Sequence, residues 1–229
     1  MAEKLVITID GPAGAGKSTV SKALAAKLSY LYLDTGAFYR AFAYKAKKEG
    51  ILHDDEGLSR MGGNISIRMQ HKDGRLCIFV GGEDVTDKIR TQEISMLAST
   101  VSARPCVRQA LLSLQREAGV KGGIVAEGRD MGTVVFPGAD YKFYLDATLA
   151  ERAKRRYSEI IACNDKIDYE QIEKDIIVRD KQDKEREIAP LKPAETAVII
   201  DSTDMTVDEV VDKITDLIFK TESLKEGNI

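Results

Sequence analysis

The sequence predicts an α/β fold: a five-stranded parallel sheet with helices on both faces, and a small antiparallel β-sheet inserted into it. Two observations predict the parallel part. Five short apolar segments are spaced along the chain, and segments of helical periodicity separate them. A third observation predicts the insertion. Residues 64–85 alternate apolar and polar side chains with period two, which is typical of a sheet with one solvated face.

The first predicted strand, residues 5–9, leads directly into a glycine-rich loop that a helix follows. Glycine allows a backbone N–H to approach a phosphate closely, and the helix N-terminus adds a positive dipole end. Lys17 supplies a charge for the β- and γ-phosphates, and the Ser18 hydroxyl suits a magnesium ion. A nucleoside triphosphate is therefore expected here. The phosphate-binding pattern G-x-x-x-x-G-K-[ST] is met at every fixed position by Gly11-Pro12-Ala13-Gly14-Ala15-Gly16-Lys17-Ser18.

The second strand is predicted over 30–34, and a helix from about 37 to 48 follows it and ends at Gly50. Strands of the insertion are predicted over 64–69, 76–80 and 83–85. The segment Lys72-Asp73-Gly74 gives a hairpin signal between the first two.

Two helices are predicted after the insertion, because the helical period resumes at 91 and Pro105 interrupts it. The remaining strands of the parallel sheet are predicted over 124–126, 141–146 and 197–200. Thr148 is a candidate cap for the long helix after the strand at 141–146, and a last helix is predicted over 207–219.

Charged residues stand where the predicted parallel strands end, and ligands of such sheets bind at those ends. Three residues of the segment 127–133 suit a ligand site. Arg129 suits bidentate phosphate binding, Asp130 can accept hydrogen bonds from a substrate amine, and Glu127 can hold a magnesium-bound water. Asp10, Asp34, Asp146 and Asp201 also end strands.

The segment 34–40 has two interpretations. Thr35 and Arg40 are either a helix N-cap with a surface arginine, or a helix start that holds a second phosphate group.

Two groups of charged side chains lie at helical spacing near the C-terminal end. Alone, each is typical of a solvated helix face. They bracket the charged segment 157–178, which is therefore predicted to be a mobile cover over the phosphates. The groups are Arg152, Arg155 and Arg156, and then Arg179, Asp183 and Arg186, the second set predicted on one side of a helix.

Composition excludes several classes of function. A net charge of −3 does not suit a nucleic-acid-binding protein, and no apolar run approaches the length of a membrane span. Three scattered cysteines, Cys77, Cys106 and Cys163, are expected to be reduced thiols. With His53 and His71 as the only histidines, a histidine-based metal site or catalytic triad is not expected. Residues 1–4 lead straight into the first strand, so no signal peptide is predicted and a cytoplasmic location is expected.

No general base stands out in the sequence. A phosphate acceptor needs none, because its oxygens are already ionised near neutral pH. Transfer to a phosphate group needs positioning, charge neutralisation and exclusion of water, and many arginines suit those tasks.

Five segments together resemble the bacterial cytidylate kinases, and the resemblance covers nearly the whole chain. The first of them, the phosphate loop, alone indicates only a broad superfamily, whereas the third is specific to this family, and motifs at 82–85 and 89–93 also match. The segments are 9–19, Leu33-Asp34-Thr35-Gly36-Ala37-Phe38-Tyr39-Arg40, Gly128-Arg129-Asp130-Met131-Gly132-Thr133-Val134-Val135-Phe136-Pro137, Ala189-Pro190-Leu191 and Asp201-Ser202-Thr203.

The resemblance implies a fold like that of adenylate kinase and transfer of a phosphoryl group from ATP to CMP or dCMP with Mg²⁺. It also implies a single kinase unit of three parts: a core over about 1–38, 105–155 and 187–229, a monophosphate-binding insert over about 39–104, and a lid over about 156–186. The expected partners are small nucleotides only, and a monomer is expected.

Site residues are carried over position by position. Catalytic roles are implied for Lys17, Arg129 and Arg186. ATP contacts are implied for residues 11–19, which include Thr19, and for Arg152 and Arg156. The metal contacts would be Ser18, and Glu127 through water. The acceptor nucleotide would contact Thr35, Arg40, Ser99, Arg108, Arg129, Asp130, Arg179 and Asp183.

Two other functions remain open on the sequence alone. One is a kinase with the same loop that acts on a small hydroxylated metabolite. The other is a switch protein that hydrolyses a nucleotide to control a partner, although the N-K-x-D signature of GTPase switches is absent.

Overall fold

The structure is a computed structural model that describes residues 4–72, 75–162 and 168–226. In these residues, strands and helices alternate along most of the chain. In chain order they are β1 (Val6–Asp10), α1 (Lys17–Leu28), β2 (Leu31–Asp34), α2 (Thr35–Lys48), α3 (Asp55–Asn64), β3 (Ile67–Lys72), β4 (Arg75–Val80), β5 (Glu83–Asp84), α4 (Gln92–Ser102), α5 (Pro105–Gly119), β6 (Ile124–Gly128), β7 (Tyr141–Asp146), α6 (Leu149–Ala162), α7 (Tyr169–Glu185), β8 (Val198–Asp201) and α8 (Val207–Glu226). A 3₁₀ turn covers Lys88–Arg90 and a π-helical turn covers Met131–Val135.

The five predicted strands form one parallel sheet in the order β2-β6-β1-β7-β8, which confirms the predicted fold class. β1 is central and pairs with β6 and β7. In this register Asp10 lies opposite Gly128, and Asp34 lies opposite Glu127. The carboxyl ends of β1, β2 and β6 therefore meet at one edge of the sheet, beside the glycine-rich loop.

Helices cover both faces of the sheet, and each strand contributes side chains to both faces in turn. Ile124 and Ala126 of β6 pack in the cluster that α2 and α5 complete, whereas Val125 packs in the cluster of α1 and α8. The inner strands β1 and β6 are buried along nearly their whole length, which explains why they appear in the sequence as short, mainly apolar runs.

The insertion is a three-stranded antiparallel sheet in the order β3-β4-β5, packed against α2. Its strands are confirmed, and the predicted turn at Asp73 and Gly74 lies outside the described residues. The predicted start at residue 64 is wrong, because α3 extends to Asn64. Helix α3 was missed because three of its ten residues are glycines, which disfavour helix, and because only Leu58 and Met61 in it are large and apolar.

α6 and α7 pack on each other around a small cluster of their own. Ala153 and Ile160 of α6 meet Ile172 and Ile176 of α7. The N–H of Glu151 donates to the Thr148 hydroxyl at 3.4 Å, as predicted for a helix cap. Part of the predicted mobile cover, and Cys163, lie at 163–167 and outside the described residues. Cys77 and Cys106 are free thiols, as expected.

Within residues 4–72, 75–162 and 168–226, every helix is too short or too polar to cross a membrane.

Candidate active site

The glycine-rich loop follows β1 in a conformation that only glycine adopts without strain. Gly11, Gly14 and Gly16 have φ angles of 149°, 76° and 85°. A Cβ at Gly11 would lie 2.0 Å from the carbonyl oxygen of Leu145, and one at Gly14 would lie 2.7 Å from that of Arg152. The loop is thus packed closely against β7 and α6, and it brings the N-terminus of α1 to the edge of the sheet.

Lys17, the first residue of α1, is buried in the wall of a cavity of about 170 Å³ that the loop helps to form. Its ammonium group donates to the carbonyl oxygen of Pro12 at 2.6 Å. Burial, followed by the nearby charge of Arg129, lowers the pKa of Lys17 to about 7, and Glu127 opposes this shift. A cation at this point is costly unless anionic phosphate oxygens compensate it.

Glu127 lies inside the sheet rather than in a loop. The prediction that β6 ends at residue 126 is wrong, because the strand continues to Gly128. Burial is the main cause that raises the pKa of the Glu127 carboxyl, and Asp34 adds to the rise. The hydroxyl of Tyr32 donates to this carboxylate.

Sequence reasoning missed Tyr32. Its only signal was its position two residues before the strand-end Asp34.

Asp34, and not Thr35, caps α2. The Asp34 carboxylate accepts the N–H of Ala37 at 3.0 Å and also pairs with the Arg40 guanidinium at 2.7 Å. The interpretation of Thr35 as the N-cap is wrong, because its hydroxyl donates to the backbone oxygen of Glu127 at 2.6 Å. Arg40 lines the same cavity as Lys17 and is not a free surface arginine.

A second cavity of about 60 Å³ adjoins the first. Three arginines line both cavities, so the boundary between the two is strongly cationic. They are Arg40, Arg129 and Arg179.

Asp130 lines the second cavity and forms a buried ion pair with Arg108 of α5. Arg108 also donates to the carbonyl oxygen of Ser102 at 3.3 Å, and its guanidinium carbon lies 5.5 Å from the ring centre of Tyr39. The other carboxylate oxygen of Asp130 lies 3.6 Å from Arg186. Ser99 lines this cavity too, and its hydroxyl donates to Gln182 at 3.0 Å.

Asp183 and Arg129 form the opposite wall, with 2.8 Å between Nε and Oδ2. Burial raises the pKa of Asp183, but Arg129 and Arg179 together overcome this and hold it below its usual value. Burial and then Arg129 lower the pKa of Arg179 to about 10. The Nε of Arg179 and one Nη of Arg186 are buried without a hydrogen-bond partner among the described residues. These two N–H groups are available to a ligand.

The predicted placement of Arg186 on a helix face is wrong. It follows the last residue of α7 and has an extended backbone, with φ −60° and ψ 139°. It reaches the site because the chain turns out of the helix there. The alternative of a solvated ion-pair network is wrong for Asp183 and Arg186, since both side chains are about 5% exposed.

The arginines of α6 divide between the loop and the cavity. Arg152 is buried, donates to the carbonyl oxygen of Ala13 at 3.0 Å and pairs with Asp180 at 2.6 Å. Its guanidinium therefore links the loop to α6 and α7. Arg155 donates to the carbonyl oxygen of Ser202 at 2.6 Å. Arg156 lines the first cavity and donates to Gln92 at 2.8 Å. The solvated-face interpretation is therefore wrong for Arg152, and Gln92 is a contact that sequence reasoning missed.

A third, more open cavity of about 540 Å³ lies on the other side of the loop and shares Gly16 and Thr19 with the first. Its apolar lining comes mainly from Val20 and from the start of α8. The residues at α8 are Met205, Val207 and Val210.

The other strand-end aspartates do not converge on the cavities. Asp146 accepts the N–H of Ala147 at 2.9 Å, and Asp201 accepts that of Thr203 at 2.9 Å. Among the described residues, no group of three or more His, Cys, Asp or Glu side chains is arranged to hold a metal ion.

Comparison with known proteins yields one consistent family. The model of the cytidylate kinase family matches residues 7–220. A cytidylate kinase of Geobacter sp. (strain M21) is 50% identical over 210 residues, which cover 91% of this chain and 90% of that one. A cytidylate kinase of Syntrophotalea carbinolica is 47% identical over 232 residues and covers 99% of both chains. Among solved structures, an uncharacterized protein from Eubacterium ventriosum has a TM-score of 0.51 at 11% identity over 95% of this chain and 99% of its own, which indicates a shared fold only.

Proposed function

The chain belongs to the cytidylate kinase family, and from that premise we propose which of its residues carry the transfer of a phosphoryl group from ATP to CMP or dCMP. The observation that carries the assignment is the shared wall of the first two cavities. Arg40, Arg129 and Arg179 line both, so phosphate groups that enter from either side meet the same three cations.

The donor triphosphate belongs in the cavity beside the glycine-rich loop. Glycines 11, 14 and 16 permit the close approach of backbone to phosphate oxygens, and the N-terminus of α1 adds its dipole. Lys17 then exchanges the Pro12 carbonyl for phosphate oxygens, which compensate its charge far better. Arg156 and Thr19 are the further donor contacts. The open apolar cavity next to Thr19 suits the flat adenine ring, because burial of its faces there removes apolar surface from water.

The acceptor nucleotide belongs in the second cavity. Arg40 and Arg129 hold its phosphate, with the Thr35 hydroxyl beside them, and the unpaired Nε of Arg179 is a further donor. Asp183 and Arg179 lie where they can meet the sugar. Ser99 and Asp130 line this cavity and are proposed to read the base together with Arg108, which pairs with Asp130.

The chemistry of this site favours a phosphate acceptor over an alcohol. The two carboxylates of the second cavity are both paired with arginines, and the pKa of Asp183 lies below its usual value. Such carboxylates are poor general bases for a hydroxyl group, whereas a phosphate oxygen attacks without losing a proton. Arg129 and Arg186 are proposed to stabilise the charge on the transferred phosphoryl group, together with Lys17.

Magnesium fits the residues at the first cavity. The Ser18 hydroxyl is an oxygen ligand at the start of α1, and Glu127 is a buried carboxylate in the same wall that can hold a metal-bound water. When bound with ATP, the ion neutralises charge on the β- and γ-phosphates. The small number of carboxylates suits an ion held chiefly by phosphate and water oxygens.

An assay of ADP production tests the proposal with CMP, dCMP, UMP, AMP and a panel of sugar alcohols as acceptors. CMP and dCMP should support turnover, and the alcohols should not. ADP production that depends on an alcohol would instead support the metabolite kinase, and ADP production that no acceptor increases would support the switch protein. A monomeric state, a cytoplasmic location and the three-part division of the chain stay predictions.

A further inference from the structure

Asp10 ends the central strand with a carboxylate that lines none of the three cavities. It is 3% exposed, and none of the ion pairs among the described residues includes it. Its two oxygens are nevertheless fully used. Oδ1 accepts the backbone N–H of Met131 at 2.8 Å, and Oδ2 accepts that of Gly132 at 2.8 Å.

These two N–H groups open the π-helical turn Met131–Val135, which directly follows Arg129 and Asp130. The first N–H groups of any helical turn have no acceptor within the turn. The turn itself closes on the carbonyl oxygen of Asp130, which accepts from Val134 at 2.9 Å and from Val135 at 3.1 Å. Asp10 therefore supplies the acceptors that the start of this turn lacks.

The register of the sheet places Asp10 at a strand end from which it can do this. Asp10 lies opposite Gly128, the residue after which the chain leaves β6, and Gly11 of the phosphate loop follows Asp10 directly. One residue thus joins the loop at the donor cavity to the turn that follows Arg129 and Asp130.

A carboxylate in this position is costly to bury. Burial raises its pKa from 3.8 to about 6, and Asp130 adds to the rise. The two N–H groups and Lys17 oppose it. Tyr144, on the neighbouring strand, is the other titratable group that faces it. An asparagine would avoid the charge, but its amide offers one oxygen and would turn an NH₂ donor towards the second N–H. The need for two acceptor oxygens accounts for the carboxylate.

We propose that Asp10 is a positioning residue for the acceptor nucleotide, because its carboxylate holds the turn that orients Arg129 and Asp130. This inference rests on the proposed acceptor roles of those two residues. It predicts that loss of one acceptor oxygen damages the acceptor site while the donor site, on the other side of Asp10, keeps its function.

The test is the substitution Asp10→Asn, with Asp140→Asn as the matched control. Like Asp10, Asp140 is a carboxylate that accepts a backbone N–H. Its donor is Val6 at 2.7 Å, at the opposite end of β1 from Asp10. In Asp10→Asn, the KM for CMP should rise at least tenfold and the KM for ATP should stay within twofold. The backbone amides of 129–136 should exchange with solvent at least tenfold faster in the unliganded protein. Asp140→Asn should change neither KM.

Equal loss of affinity for ATP and CMP, or unchanged exchange over 129–136, would overturn the proposal. Wild-type turnover with CMP in the same experiment tests the proposed function separately, and the exchange measurement needs no substrate.

If Asp10→Asn does not fold, unliganded wild-type protein supplies the comparison at pH 5 and pH 8. Protonation of Asp10 replaces one acceptor with an O–H donor, so protection of 129–136, corrected for intrinsic exchange, should be lower at pH 5. Equal protection at both values would contradict the proposal.

Discussion

Lys17 is the residue on which we expect the proposed donor site to depend most. Its ammonium group is buried before any nucleotide is bound, and its lowered pKa reports how poorly the protein alone compensates it. Lys17→Ala removes a preorganised charge from the transferring phosphoryl group. We expect a fall in kcat/KM that corresponds to a loss of at least about 3 kcal/mol of transition-state stabilisation, with little loss of folding stability.

Steady-state kinetics on purified Lys17→Ala, with Lys27→Ala as control, measure this effect. Lys27 lies on the same helix, and its ammonium group pairs with Asp212 at the surface. Turnover near the wild-type rate in Lys17→Ala would show that the assigned role is wrong.

Asp130 and Arg108 are the residues expected to distinguish cytosine from uracil. A carboxylate accepts from the N4 amine of cytosine and repels O4 of uracil, whereas an arginine donates to N3 or O2 of cytosine. One or two such mismatches cost ~1–3 kcal/mol each, so CMP should be preferred over UMP by roughly tens to hundreds of fold. In Asp130→Ala this preference should shrink, while the KM for ATP stays close to wild type.

The ratio of kcat/KM for CMP to that for UMP is the deciding measurement. Asp130→Ala leaves Arg108 buried without its partner, which destabilises the fold. A ratio taken on one preparation does not depend on the folded fraction. A ratio unchanged by the substitution would show that Asp130 does not read the base.

Asp10 also makes folding stability depend on pH. Its folded-state pKa of about 6 lies above the ordinary 3.8, so between these values the folded protein binds more protons than the unfolded chain. The contribution of Asp10 to the free energy of unfolding is therefore lost as the pH rises from 4 to 6, and it does not change above pH 6. This loss is on the order of 3 kcal/mol for a pKa shift of about two units.

Urea unfolding between pH 4.5 and 7.5, for wild type and Asp10→Asn, isolates this contribution as the difference between the two curves. The wild type should lose stability relative to the variant as the pH rises. Parallel curves would mean that Asp10 titrates normally in the folded protein.

At the scale of elements, one side chain joins α4 to α6 and α7, the helices that carry the predicted lid. Gln92, at the start of α4, accepts from Arg156 of α6 at 2.8 Å and donates to Asp175 of α7 at 3.0 Å. Because Arg156 lines the donor cavity and α4 walls the acceptor cavity, binding of one nucleotide should favour the arrangement that binds the other. In the wild type, bound CMP should lower the Kd for ATP about tenfold, which corresponds to ~1.4 kcal/mol, and Gln92→Ala should remove this effect.

The measurement is the Kd for ATP with and without saturating CMP, by calorimetry. Gln92→Ala should leave the Kd without CMP unchanged and remove the improvement that CMP causes. Glu93→Gln is the matched control, since Glu93 is the next residue and pairs with Lys47 at the surface. The same enhancement by CMP in both variants would rule out a coupling role for Gln92.

At the scale of the whole molecule, the two substrate cavities lie between separately packed parts. The cluster of α6 and α7 is distinct from the two clusters that cover the sheet, and α7 meets α4 across the cavities. A ligand that fills both cavities should therefore order the lid as one body.

An analogue that joins adenosine and cytidine through five phosphates provides the test. It should raise the unfolding temperature more than ATP and CMP together and should slow amide exchange over 157–162 and 168–178. Unchanged exchange in the lid with bound analogue would reject its assignment as a mobile cover.

The sequence by itself determined the parts of this protein that short segments encode. The strand, loop and helix around Lys17 follow from a local motif, and the five parallel strands follow from short, mainly apolar runs. Helix α3 could not be predicted in this way, because it has only ten residues and three of them are glycines, which are typical of loops.

Only the tertiary structure decided which side chains meet. Tyr32 and Glu127 are 95 residues apart, and Asp10 and Met131 are 121 apart, yet each pair shares a hydrogen bond. Such contacts follow from the order of strands in the sheet, which brings distant strand ends to one edge, and no local pattern records that order. For the same reason Asp10 and Asp146 look alike in the sequence as strand-end carboxylates. In the fold, Asp10 anchors the turn beside the acceptor cavity and Asp146 caps its own neighbour, because β1 lies next to β6 and β7 does not.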